Sequence, residues 1–191
     1  MKKLRGITLI ELLITILIMS ILASIAGPSF LDSFKKRKLI NATEQLYSNL
    51  QLTRSEALSR SIPTYLKYSG TGSSAWFYGI SQTSDCDPSL TSNANASACM
   101  LIVDNGDGNY VNTDDNVLHT VDGSSYDEIV LRAKTGDGET QLTFNPMNGT
   151  IGAAAIFSLT NSLSDATMIS VSIIGNIKIC SSDLGEYRDC P

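Results

Sequence analysis

From Ile7 to Gly27 the chain runs almost wholly apolar for 21 residues with one charged side chain, Glu11, and this run limits what the rest can become. As a helix it would span about 31 Å, one bilayer core. Ser24-Ile25-Ala26 before Gly27 offers the small residues of a cleavable secretory signal. Neither such a signal nor an ordinary anchor has a use for Glu11. Within a membrane segment a charged residue costs about 2.5 to 3.5 kcal/mol on insertion scales and is usually functional or paired. The carboxylate therefore marks a segment that does more than anchor.

The remaining length, within 191 residues, suits one further domain. Charged residues are sparse at 17%, a mixture that fits an extracytoplasmic β-rich body better than a cytosolic enzyme. Their distribution is uneven. Residues 1–60 hold nine Lys/Arg against four Asp/Glu, a balance of +5, whereas residues 61–191 hold five against fifteen, a balance of −10. An acidic body repels phosphate backbones at long range, which disfavours nucleic acid as a default partner.

Beyond Pro28 a helical pattern resumes. Leu39, Ala42, Leu46, Leu50, Thr53 and Ala57 recur at steps of three and four, one face of an amphipathic helix. Pro28 lacks the N–H that a helix needs and is expected to kink or loosen it there. Ser61-Ile62-Pro63 predicts the helix end near Arg60. The dense run Lys35-Lys36-Arg37-Lys38 is read as facing lipid head groups or the grooves between packed helices, with a nucleic-acid contact as the alternative. Short strand patterns follow at 64–68, 75–80, 100–103, 117–121, 128–131, 141–144, 155–159, 168–173 and 177–179. The first two flank a Gly/Ser-rich turn and predict a hairpin. The expected class is α+β: a long N-terminal transmembrane and amphipathic helix packed on an antiparallel β-sheet head, the apolar face of 39–57 filling the sheet's concave side.

Cys86, Cys99, Cys180 and Cys190 are spaced by 13, 81 and 10 residues, which matches no zinc pattern. Of three possible connectivities, the local one, Cys86 with Cys99 and Cys180 with Cys190, is preferred because each pair brackets a polar, turn-rich loop. Closing loops of this size is worth about 2.5 to 3 kcal/mol each in the chain-entropy model. The compartment is then oxidising, a bacterial periplasm. The segment Asp104-Asn105-Gly106-Asp107-Gly108-Asn109, with Asp114 and Asp115 beyond it, has calcium-loop character but puts Asn109 where an EF-hand needs glycine, so no metal is assigned. His119 is the one histidine, and neither a triad nor a Gly-x-Ser-x-Gly elbow accompanies it. No catalytic residue and no cofactor are assigned.

Gly6-Ile7-Thr8-Leu9-Ile10-Glu11-Leu12-Leu13 resembles the processing motif of type IV pilins and type II secretion pseudopilins. The resemblance implies that a prepilin peptidase cuts between Gly6 and Ile7 and methylates Ile7, leaving Glu11 as the fifth mature residue with a role in subunit assembly. The family usually carries Phe in place of Ile7. It also implies an N-terminus in the cytoplasm, although Lys35 to Lys38 outweigh Lys2, Lys3 and Arg5 on the positive-inside rule. Five stretches are further similar to the GspH/FimT type of minor pilin: 52–57, 76–79, 103–108, 144–149 and 175–180. The implied organisation is a leader at 1–6, a transmembrane spine at 7–28, an amphipathic half-helix at 29–60 and a periplasmic head at 61–191.

The implied function is a minor subunit of a type IV pilus or type II secretion filament that sits near the tip and primes assembly from the inner membrane. Its implied partners are the prepilin peptidase and other minor and major pilins or pseudopilins. The alternative implied by the resemblance is a DNA-uptake receptor. Such receptors carry a Gly-Arg-x-Arg-like motif where this chain reads Gly175-Asn176-Ile177-Lys178, so only Lys178 and Arg188 remain as candidate DNA contacts, and nucleic acid is not favoured.

Overall fold

The computed structural model describes residues 8–103 and 116–190, the side chains of 25–28 excepted. A single helix, α1 (Leu9–Arg60), takes 52 residues and reaches about 78 Å. Thr8 caps its start and Ser61, at φ 56°, ends it in the left-handed conformation just before Ile62-Pro63, where the stop signal lies. It passes Pro28 without interruption. Its two halves differ in what they touch. Leu9, Ile10, Leu12 and Leu13 through Leu22, then Phe30, Leu31 and Phe34, stand exposed, whereas Leu39, Ala42, Leu46, Leu50, Thr53 and Ala57 are buried.

The head contains β1 (Thr64–Ser69), β2 (Phe77–Ser81), β3 (Met100–Ile102), β4 (Asn116–Leu118) and β5 (Thr120–Asp122). After a 3-10 turn at Gly123–Tyr126 come β6 (Val130–Thr135), β7 (Gln141–Phe144), β8 (Ala155–Thr160), β9 (Ala166–Val171) and β10 (Ile177–Cys180). Instead of one sheet there are two of four strands, ordered β5-β2-β1-β7 and β10-β9-β8-β6, with β3 and β4 as a separate ribbon. Every named strand pair is antiparallel, and β1 and β2 form the expected hairpin.

The expected strand at 117–121 breaks at His119. Its N–H donates to the Cys99 carbonyl and its carbonyl accepts from Ile80, so the chain changes partners there from the ribbon to the first sheet. The strand expected from residue 128 starts later, because Glu128 sits at φ 68° and the Ile129 carbonyl accepts the Trp76 indole N–H at 2.9 Å. The strand expected at 168–173 lies at 166–171, since Ser172 already accepts from Gly175 in the turn that follows.

The core lies between α1 and the two sheets. Tyr68 of β1 meets Phe157 of β8 edge to face at 5.5 Å and ties the sheets together. Trp76 stacks on Tyr78 at 5.8 Å and on Tyr126 at 6.0 Å. Polar groups on the inner face of α1 are satisfied: Thr53 donates to the Asn49 carbonyl, Asn49 donates to the Tyr78 hydroxyl at 3.1 Å, and Thr43 meets Thr167 of β9 at 2.6 Å. Gly79 shows how closely the far side of the first sheet is covered. A Cβ there would stand 2.5 Å from the Cys99 Cβ, because the disulfide loop packs directly on β2.

Candidate functional site

Gly6 and Ile7 lie outside the described residues; Glu11 does not. Thr8 Oγ1 accepts from the Glu11 N–H at 3.3 Å and Glu11 Oε2 accepts from the Thr8 N–H at 3.4 Å, a reciprocal cap. The Thr-x-x-Glu spacing ahead of an apolar run carries this signal in the sequence, so Glu11 caps its own helix besides being the expected assembly group. Around it the helix offers nothing but exposed apolar side chains. Thr15, Ser20 and Ser24 return their hydroxyls to carbonyls three residues back and so add no free polar group to this surface.

Where α1 enters the head, the basic run does something other than expected. Lys35 pairs with Glu128 at 3.2 Å, Lys36 with Asp165 at 3.6 Å and Lys38 with Asp127 at 3.9 Å. Three of the four cations thus turn to carboxylates of the head's own loops, and lipid head groups or neighbouring spines are not needed to neutralise them. Ser162 donates to Glu128 at 2.6 Å, and this bond, followed by Lys35, holds the Glu128 carboxyl below its ordinary range. Solvent screens these pairs, so the clamp orients the head more than it stabilises it.

Three of the stretches that carry the family resemblance meet at the far end of α1. Arg54 donates to the Gly149 carbonyl at 3.3 Å, and a Cβ on Gly175 would stand 2.0 Å from that same oxygen. Gly149 and Gly175 both take positive φ, so each turn needs a residue without a side chain to approach the other. The spacing between these stretches hid their contact.

Both expected disulfides are present, Cys86 with Cys99 and Cys180 with Cys190, and among the described residues no cysteine is free. The second bridge turns the tail back along the head: Leu184 is buried, Ser181 donates to the Arg188 carbonyl at 2.9 Å and Tyr187 donates to Glu44 of α1 at 2.7 Å. Lys178 lies on the solvent side of β10, and Arg188 is an exposed tail residue. The same sheet brings forward two cations that sequence reasoning passed over, Arg132 and Lys134 of β6.

Burial lowers the pKa of His119 while Glu56 acts against it. Among the described residues no cluster of three or more His, Cys, Asp or Glu is placed to hold a metal. The segment 104–115, with its calcium-loop character, lies outside the described residues. A broad groove lined by Asn41, Glu44, Gln45, Ser48, Asn49 and Tyr126 contains a single carboxylate and no base to pair with it.

These elements define a class: a helix-tethered β head whose tether is half core and half unpartnered apolar surface. The chain belongs to the family of the type II transport protein GspH, whose model matches residues 42–176. A second model, the prokaryotic N-terminal methylation motif, matches residues 1–27 and implies prepilin peptidase processing and assembly with other pilins. The protein is thus a minor pilin or pseudopilin of a type IV pilus or type II secretion system.

Among solved structures, the chain is similar to the type IV minor pilin FimU of Pseudomonas aeruginosa, at 20% identity over 75% of this chain and 89% of that one, with a TM-score of 0.46. It is also similar to the minor pseudopilin EpsH of the Vibrio cholerae type 2 secretion system, at 9% identity over 75% and 97%, with a TM-score of 0.47. No curated protein matches by sequence.

Proposed function

We propose that this protein is a low-abundance structural subunit that crosses the inner membrane once, enters the filament near its tip and primes assembly. One observation carries the reading: among the described residues the large apolar side chains of α1 from Leu9 to Leu22 and at Phe30, Leu31 and Phe34 are exposed, and within them lies a carboxylate whose side-chain partner among those residues is one N–H at 3.4 Å. Lipid covers such a helix before assembly, and neighbouring spines cover it afterwards. After cleavage between Gly6 and Ile7 and methylation of Ile7, Glu11 meets the N-terminal amine of the adjacent subunit's helix. The opposite charge offsets part of the desolvation cost and sets axial register. Pro28, which lacks a donor, gives the spine compliance where it leaves the bilayer. Because Glu11 is retained, the subunit sits below at least one other.

Glu11→Gln tests the reading. The amide oxygen still caps Thr8, so helix initiation survives while the charge is lost. Processed protein in membranes stays at the wild-type level, whereas protein in the sheared filament fraction falls about tenfold, the equivalent of about 1.4 kcal/mol of lost pairing. Equal incorporation of variant and wild type refutes the assembly role.

The DNA-receptor alternative has less behind it. It rests on Lys178 and Arg188, within a head carrying five cations against fifteen anions and lacking both arginines at Gly175 to Lys178. A mobility shift of DNA by the full-length protein in detergent, steepening as salt falls, would favour it.

A further inference from the structure

The two sheets treat their outer faces differently. The loop closed by Cys86 and Cys99 covers the far side of β2, whereas on the far side of the second sheet the tail is bridged only at the β10 edge, through Cys180 and Cys190, and Arg132, Lys134, Ile156 and Lys178 stand exposed. Strand register sets out what that bare face presents. One row reads Lys134, Ile156, Ser170, Lys178 and the next reads Arg132, Ser158, Met168, Cys180. The inward residues Leu131, Phe157, Leu159, Ile169 and Ile177 are buried, so the pleat turns these rows to the outer face, where Ser158, Met168 and Ser170 are half-buried and Cys180 holds Cys190 at the edge. Three of the five cations in residues 61–191 are collected here. None of the outward positions on the four strands carries a carboxylate, and none of the three cations has an ion-pair partner among the described residues. On a head of net charge −10 this is a reversed patch, centred on Ile156, which is 42% exposed.

We propose that this face docks an acidic protein surface, the head of a neighbouring pilin-type subunit, through an apolar side chain flanked by carboxylates. The proposal rests on the filament reading above. Charge complementarity selects an acidic partner, and the aliphatic centre within a cationic rim has the anatomy of a protein interface. Nucleic acid fits less well: the outward rows hold no aromatic ring on which a base would stack, and the rest of the head repels phosphate. Size points to a tethered partner. Four strands at about 4.8 Å and six residues at about 3.4 Å give a face of about 400 Å², half of what one side of a standard stable complex buries. A contact this small holds when both heads stand on helices in one membrane or filament, where effective concentration is high.

The test uses the full-length protein in its own cells, with a photo-crosslinking amino acid at Ser158, between the cations. The expected product joins this chain to a segment of another pilin-type head that carries Asp or Glu beside an apolar residue. Its yield falls at least fivefold in Arg132→Glu/Lys134→Glu/Lys178→Glu and recovers when the mapped acidic residues of the partner become Lys. The three positions are exposed, and unchanged Trp76 fluorescence confirms that the variant is folded. A charge-insensitive crosslink, a crosslink to nucleic acid, or no crosslink overturns the proposal. Glu11→Gln is read in the same cells. If its filament recovery falls while the crosslink ignores charge, the docking face alone is refuted; if its recovery equals wild type, the filament reading fails.

Discussion

The hydroxyl pair that joins α1 to the second sheet makes an asymmetric prediction. Thr43 is 0% and Thr167 1% exposed, and their oxygens lie 2.6 Å apart. Each hydroxyl has one proton. Thr43 directs its own to the Leu39 carbonyl at 2.8 Å, so Thr167 must be the donor to Thr43. Thr43→Val then strands a buried donor on β9 and costs about 1 to 3 kcal/mol. Thr167→Val leaves Thr43 its bond to Leu39 and costs less than about 1 kcal/mol. In the double variant no hydroxyl is stranded, and stability returns to within about 0.5 kcal/mol of wild type.

The assay is urea unfolding of the full-length protein in detergent, followed by the single tryptophan, Trp76, which is buried between Tyr78 and Tyr126. With an m-value of about 2 kcal/mol/M, a loss of about 2 kcal/mol lowers the midpoint by about 1 M. Equal penalties for the two single variants, or an additive double, would refute both the proton assignment and the claim that this pair is satisfied only by itself.

Two further outcomes are expected. Membrane-extracted mature protein should have the mass of residues 7–191 with one methyl added and four hydrogens lost to the two disulfides; a start at Gly27 in intact-mass spectrometry would instead reveal a cleaved secretory signal. His119, whose folded pKa lies below its ordinary value, binds its proton in the unfolded chain first, so stability falls as pH drops through the window below about 6.5. Urea midpoints should decline there, and His119→Gln should flatten the decline.

Local signals made much of this architecture legible. The 3.6-residue stripe from Leu39 to Ala57 and the stop at Ser61-Ile62-Pro63 describe α1, because helix periodicity and termination are written within a few residues. The short loops around both disulfides are equally local. What stayed hidden is long-range. Whether strands form one sheet or two depends on pairings such as β6 with β8 and β1 with β7, which join residues far apart in the chain. Lys35, Lys36 and Lys38 looked like a free basic run because Asp127, Glu128 and Asp165 lie some ninety or more residues downstream. Arg132 and Lys134 escaped notice for a related reason: only strand register places Lys134 in a row with Lys178.

The continuity of α1 has a mechanical meaning. The head is not hung from the spine by a loop; the spine itself becomes the head's central rod. From Leu39 to Ala57 the rod runs about 27 Å through the core. Tension along a filament axis therefore loads the buried stripe in shear, with many contacts sharing the force at once. The lysine clamp sits at the mouth, where bending would otherwise begin to peel the rod away from β8 and β9. A hinge at Leu39 would let each head swing; this joint fixes the head to the half of the spine beyond Pro28.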